Sequence, residues 1–146
     1  MAEDARRERG DFAYFVEIVT RWADNDVYGH VNNATYYSYF DTVVNRMLIE
    51  RNLLDPAKSG AIGVVVETGC RFFASLSFPD VVDAGLRVAS IGNSSVRYEI
   101  GIFQRGEKEP AATGHYVHVY VDRATRRPVP VPAEVRAGLD PLIRGT

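Results

Sequence analysis

The run Trp22-Ala23-Asp24-Asn25-Asp26-Val27-Tyr28-Gly29-His30-Val31-Asn32-Asn33 sets two carboxylates, a glycine and an imidazole just ahead of the one long helical pattern in the chain. The start of a helix leaves backbone N–H groups without intrahelical acceptors, and these favour developing negative charge. An acid placed there suits attack on a carbonyl: the amides polarise the oxygen while the carboxylate supplies or activates the nucleophile. Asp26 is the candidate for that role, either attacking directly or taking a proton from water. Asp24, two residues earlier, is read as an acid that bonds the loop backbone. His30 can hold the loop, orient Asp26 or protonate a leaving group. The amides around Val31, Asn32 and Asn33 are the candidate oxyanion site, with Gly29 as a positive-φ turn.

Holding such a loop takes a strand before it and a helix after it. Phe12 to Thr20 places Phe12, Tyr14, Val16 and Ile18 on one face, the two-residue period of a strand. Asn32 or Asn33 caps a helix that runs to about residue 51, with Tyr36, Tyr37, Phe40, Val43, Val44, Met47 and Leu48 as its buried stripe. Residues 53–60 hold the Pro and Gly of a connection. Everything after them reads as β. Ile62, Val64, Val66, Thr68, Cys70 and Phe72 alternate over 61–73. Strands follow at 82–91, at 96–104 with Val96, Tyr98, Ile100 and Ile102 on one face, and at 111–122 with Thr113, His115, Val117, Val119 and Val121 alternating. Prolines at 128, 130 and 132 end the sheet, and a short helix is expected in the last dozen residues. Residues 1–10 read as a disordered, solvated tail and 11–146 as a single domain of α+β class, one long helix against one antiparallel sheet.

Composition narrows the function classes. The chain has 146 residues, 46% hydrophobic and 25% charged, with a net charge of −2. That balance carries no nucleic-acid or membrane-surface footprint. A single cysteine, Cys70, excludes an intramolecular disulfide, and His115 and His118 fall on opposite faces of one strand, so no metal site is expected. No apolar run reaches the roughly 20 residues that span a bilayer, and no secretory leader is visible, so a cytoplasmic protein is expected.

Residues 22–36, read as Trp-Ala-Asp-Asn-Asp-x-x-Gly-His-Val-Asn-Asn-x-x-Tyr, resemble the signature of the hotdog-fold acyl-CoA thioesterases of the 4-hydroxybenzoyl-CoA thioesterase-like family. The likeness continues through Tyr39-Phe40-Asp41, Ile91-Gly92-Asn93-Ser94-Ser95 and the run from Val121 to Pro130. It implies a hotdog fold, an antiparallel sheet wrapped around one long central helix. It also implies an acyl-CoA or acyl-carrier-protein substrate, no cofactor beyond the CoA of the substrate, and a homodimer or homotetramer with sites at the dimer interface. The resemblance puts the catalytic carboxylate on Asp26 and the carbonyl-binding amides on the turn Val31–Asn33.

Ser94, Ser95 and Arg97 follow a Gly-Asn turn of the kind that offers N–H groups to phosphate, which makes them candidate substrate contacts. Family members that hold the CoA nucleotide often carry a basic cluster just before the serine. Here Gly92, Asn93 and Ser94 are uncharged, which leaves open a carrier-protein substrate or phosphate contacts from Arg71, Arg126 or Arg127. Two rival readings remain: a hotdog hydratase or dehydratase, which pairs a histidine with an acid in a different motif, and a non-catalytic module that binds acyl thioesters.

Overall fold

Alternation of apolar and polar side chains builds five strands from this chain. The computed structural model, which describes residues 7–143, joins them in one antiparallel sheet. The strands are β1 (Tyr14–Val19), β2 (Ala61–Phe72), β3 (Val81–Ile91), β4 (Ser95–Gln104) and β5 (Ala112–Asp122), in the order β1-β3-β4-β5-β2. The long helix α1 (Asn33–Glu50) joins β1 to β2, which are opposite edges of the sheet. Its 18 residues span about 27 Å, enough to cross the roughly 19 Å between the outer strands of a five-stranded sheet. This is the expected hotdog arrangement.

Asn32 caps α1, its side-chain oxygen accepting the Ala34 N–H at 2.8 Å. The buried stripe is Tyr36, Tyr39, Phe40, Val43, Val44, Met47 and Leu48. Tyr37 is only half-buried, and Tyr39 takes the place expected for it because its hydroxyl has a buried partner, Asp24. The facing side of the sheet presents Val16, Ala84, Leu86, Tyr98, Ile100, Ile102 and Tyr116. Each valine, leucine or isoleucine among them, fully buried, contributes about 1.5–3 kcal/mol.

Two strands depart from the expected alternation. In β5 the buried side is Ala112, Tyr116, His118 and Tyr120, whereas Thr113, His115, Val117 and Val119 are half-buried on the outer face. Gly114 sits on that inner side because a Cβ there would stand 2.5 Å from the Phe40 ring. In β2 the register shifts between Val65 and Glu67, so the single phase expected from Ile62 to Phe72 breaks at a bulge.

The chain closes with a short helix α2 (Ala133–Leu139), as expected, which buries Val135 and Leu139. Of the tail expected over residues 1–10, residues 1–6 lie outside the described residues. Residues 7–10 are fastened to the sheet. Arg7 pairs with Glu99 at 3.0 Å and Arg9 with Asp83 at 3.0 Å, with the Arg9 guanidinium also over the Phe103 ring. Among the described residues no helix is long and apolar enough to cross a membrane.

Candidate active site

The loop between β1 and α1 is built around a buried acid. A 3-10 turn at Trp22–Asp24 turns the Asp24 carboxylate inward, where it is 2% exposed. It accepts the Arg21 N–H at 2.9 Å, the Arg21 guanidinium at 2.9 Å and the Tyr39 hydroxyl at 2.9 Å. Burial by itself pushes this carboxyl up. The Arg21 N–H, the Tyr39 hydroxyl and the Arg21 guanidinium together outweigh it and hold the group below the usual carboxylate range. Asp24 thus bonds the loop backbone, as its place in the sequence suggested.

Beyond Asp24 the chain folds back on itself. Asn25 and Val31 form a one-pair antiparallel bridge, and inside it the Asp26 N–H donates to the His30 carbonyl at 2.9 Å. Gly29 closes the turn at φ 81°, where a side chain would be strained. Asp26 is half-buried, and its carboxylate accepts the Tyr28 N–H at 2.9 Å. His30 is exposed and meets Asp26 only through its backbone carbonyl among the described residues.

A second loop, after β2, clamps the first. Leu76 accepts the Val31 N–H at 2.8 Å, the Ser77 hydroxyl donates to the Gly29 carbonyl at 2.6 Å, and the Phe78 N–H donates to the Asn25 side chain at 3.0 Å. Trp22 packs edge-on to Phe78 with ring centroids 5.9 Å apart.

The amides at the start of α1 can now be counted. Val31 donates to Leu76, Asn32 to the Asp24 carbonyl at 2.9 Å, Ala34 to the Asn32 side chain and Thr35 to the Asn32 carbonyl at 2.9 Å. The Asn33 N–H alone has no acceptor among the described residues. Of the three amides expected to bind a carbonyl oxygen, Val31 to Asn33, folding has already used those of Val31 and Asn32 and leaves that of Asn33.

Asp26, His30, Val31 and Asn33 line one cavity of about 500 Å³, together with Tyr28, Tyr36 and the segment 72–75. Asn32 is turned to capping instead. Tyr36 packs edge-on against Phe72 at 4.9 Å, and burial pushes its hydroxyl up to about 12, so it is neutral. A carboxylate, an unengaged helix-start amide and aromatic walls form a site that can hold and polarise a carbonyl compound.

Residues 20–139 match the model of the thioesterase-like superfamily. The chain belongs to that superfamily. The PA5185 protein of Pseudomonas aeruginosa strain PAO1 is 48% identical, over 97% of this chain and 99% of its own, with a TM-score of 0.94. The gentisyl-coenzyme A thioesterase BH1999 shares the fold at 24% identity and a TM-score of 0.72, over 86% of this chain and 98% of its own. The chloroplastic acyl-acyl carrier protein thioesterase ATL3 of Arabidopsis thaliana is 27% identical over 124 residues, 84% of this chain and 65% of that protein.

In this thioesterase-like chain the remaining expected contacts stand apart from the Asp26 cavity. Phe72 pairs with Ala112 and Ala112 with Ile102, whereas Ser95 begins β4 seven residues away, roughly 20 Å along the strand. Ser94 and its turn hold two segments: the Asn93 carbonyl accepts the N–H of Val131, past the sheet, at 2.8 Å, and the Ser94 carbonyl accepts the N–H of Tyr120 on β5 at 2.7 Å. Arg97 faces Glu67 at 3.8 Å across the outer side of the sheet. Cys70 is half-buried and its thiol is pushed up to about 12 by burial, which keeps it protonated. No residue type or spacing in the sequence marks Ala74 and Ser75 as wall residues or Leu76 to Phe78 as the clamp. The one sequence signal for that loop is the run Ser77-Phe78-Pro79-Asp80, whose proline and aspartate mark a turn.

Proposed function

We propose that the protein hydrolyses an acyl thioester of CoA or of an acyl-carrier protein to a free acid and a thiol. The observation that carries this reading is the meeting of Asp26 and the acceptor-free Asn33 N–H in one cavity. The Asn33 amide receives the thioester oxygen as negative charge builds on it. Asp26 attacks the acyl carbon, or takes a proton from the water that does; the C–S bond breaks and the thiolate leaves. On the direct route water then opens the acyl-aspartyl anhydride, and on either route water supplies the oxygen of the acid. A thiolate is a fair leaving group, with a thiol pKa of about 8.5, so its departure asks little of an acid. His30 stands in the same cavity to orient the carboxylate or protonate the thiolate, and no cofactor enters the chemistry. The likeness to an acyl-carrier-protein thioesterase and to a gentisyl-coenzyme A thioesterase supports the thioester as substrate class.

The working form is a homo-oligomer, with the acyl group entering between two copies. Tyr28, on the wall of the Asp26 cavity, and its neighbour Val27 are 81% and 93% exposed in one chain, apolar surface that a second copy would cover.

The test is steady-state thiol release from aromatic, short, medium and long acyl-CoAs and from acyl-carrier-protein thioesters, with Asp26→Asn beside the wild type. Wild-type turnover that falls on the order of 10³-fold in the variant is expected. Turnover that survives the substitution moves the chemistry off Asp26, and no turnover on any thioester leaves the site a binding module.

A further inference from the structure

The outer face of the sheet, turned away from α1, carries a second cavity of about 430 Å³. Cross-strand pairing brings its polar wall together: Glu99 on β4 lies opposite His115 on β5, and Thr113 on β5 lies opposite Arg71 on β2. Arg97, two residues before Glu99, and Arg7, from the segment ahead of β1, complete that wall. Three guanidiniums thus share the wall with one carboxylate, an excess of two positive charges in a chain whose net charge is −2.

The carboxylates on this face do not neutralise the cluster. Glu99 is shared, pairing with Arg7 at 3.0 Å and also with the buried Arg87. Glu67, beside the cavity, is nearer to His115, at 2.8 Å, than to Arg97, at 3.8 Å. Counting Arg87 and Glu67 with the wall therefore leaves the excess at two. A separation of 3.8 Å is too long for a hydrogen bond, and the Arg97 guanidinium donates none among the described residues. Its side chain is 42% exposed, so the donors of its planar fork are within reach of a ligand from solvent.

We propose that this cavity binds the phosphoryl group of a phosphate ester or diphosphate. Charge selects the class: an excess of two balances a dianion, whereas one carboxylate would leave half of it uncompensated. Geometry agrees, since the Arg97 fork can hold two phosphate oxygens at once, with the Thr113 hydroxyl in the same wall. Size agrees too, as about 430 Å³ falls within the roughly 300–1,000 Å³ of small-molecule sites. Two sources carry such a group. One is the phosphate-bearing arm of a thioester substrate, because Arg71 of this cavity and Phe72 of the Asp26 cavity are consecutive on β2. The other is a free phosphorylated metabolite. The site rests on its charges and stands or falls apart from thioester hydrolysis.

The test titrates the full-length ¹⁵N-labelled protein with pyrophosphate at low ionic strength, and with acetate as the monoanion control. Saturable pyrophosphate binding is expected, with the largest shifts at the amides of Arg97, Thr113 and His115 and at the Arg97 side-chain Nε–H. Acetate binds about tenfold or more weakly. Arg97→Ala weakens pyrophosphate about tenfold or more, the worth of a hydrogen bond to a charged group. Arg97→Lys, which keeps the charge and loses the fork, falls between, and the spectrum of each variant reports that it is folded. Lys58→Ala, on an exposed loop elsewhere, changes nothing. CoA separates the two sources. CoA binding that shifts both Arg97 and Asn33 and weakens in Arg97→Ala assigns the substrate arm, whereas CoA binding untouched by that variant assigns a free phosphate compound. No saturation at millimolar pyrophosphate overturns the proposal. So do largest shifts at Arg126 and Arg127, equal affinity for acetate, or unchanged affinity in Arg97→Ala.

Discussion

Two carboxylates two residues apart stand in opposite surroundings here, and burial separates them. Asp24 has its oxygens filled by Arg21 and Tyr39 and is sealed from water, so it holds the loop. Asp26 is half-buried, with the Tyr28 N–H on one oxygen, and keeps a lone pair for a reacting partner. Their spacing alone does not tell them apart. What does is Tyr39, one position off the stripe expected for the helix, whose hydroxyl selects the first acid as the structural one. Tyr39→Phe removes a donor to a buried charge, and the expected cost is about 1–3 kcal/mol in urea unfolding at pH 7. The sign of its pH dependence follows from the lowered Asp24 pKa. A carboxyl held below its ordinary 3.8 stabilises the fold above that pH and loses the contribution as pH falls through its folded value. The Tyr39→Phe deficit should therefore stay level down to about pH 4 and shrink below it. A deficit that does not change in acid would uncouple the hydroxyl from the carboxylate.

At the scale of elements, α1 and β4 were legible because each keeps one period from end to end and buries what that period groups. The strand β4 places Val96, Tyr98, Ile100 and Ile102 on the helix, as their alternation requires. β2 was legible in extent but not in phase, because a bulge at Val65/Glu67 shifts the alternation without a glycine or proline to mark it. β5 misled for another reason: its outer residues include Val117 and Val119, while its buried ones include two tyrosines and a histidine, which an alternation of apolar residues does not count as core. The site loop was legible in outline, since Asp26, His30 and Asn33 do share a cavity. The clamp from Leu76 to Phe78 was not, being a contact between residues some 50 positions apart.

That histidine carries a pH prediction. His118 packs against Tyr98, Tyr116 and Tyr120, and Asp41, held by the Tyr116 hydroxyl at 2.7 Å, is the one acid that raises its pKa. Burial outweighs Asp41 and sets the folded value at about 4 against an ordinary 6.5. Between those values the unfolded chain binds a proton that the folded chain refuses, so stability falls as pH drops from 6.5 toward 4, by up to about 3 kcal/mol. Urea midpoints of the wild type should fall through that window, and His118→Phe should flatten the fall. An equal slope in the variant would place the titration elsewhere.

For the whole molecule, the edges of the sheet differ in a way that favours one route to assembly. β1 has six residues and carries Glu17, ion-paired with Arg105 on the neighbouring turn. β2 has twelve, with Val66 at its bulge 57% exposed and Phe72 on the wall of the Asp26 cavity. A long, partly apolar edge with unpaired backbone groups is a template for another strand, and soluble proteins guard such edges with charge or cover them with a copy. β2 has charge only at Glu67 and Arg71 near its far half, so cover by a second β2 is the expected solution. Because Phe72 belongs both to this edge and to the cavity, pairing there would also complete the site. Val66→Lys should then move the protein from dimer or larger to monomer in sedimentation velocity, and thiol release should fall in step with the fraction of monomer. A wild type that sediments as a monomer at assay concentration, yet turns over thioester, would assign the whole active site to one chain and leave the exposed β2 edge without this role.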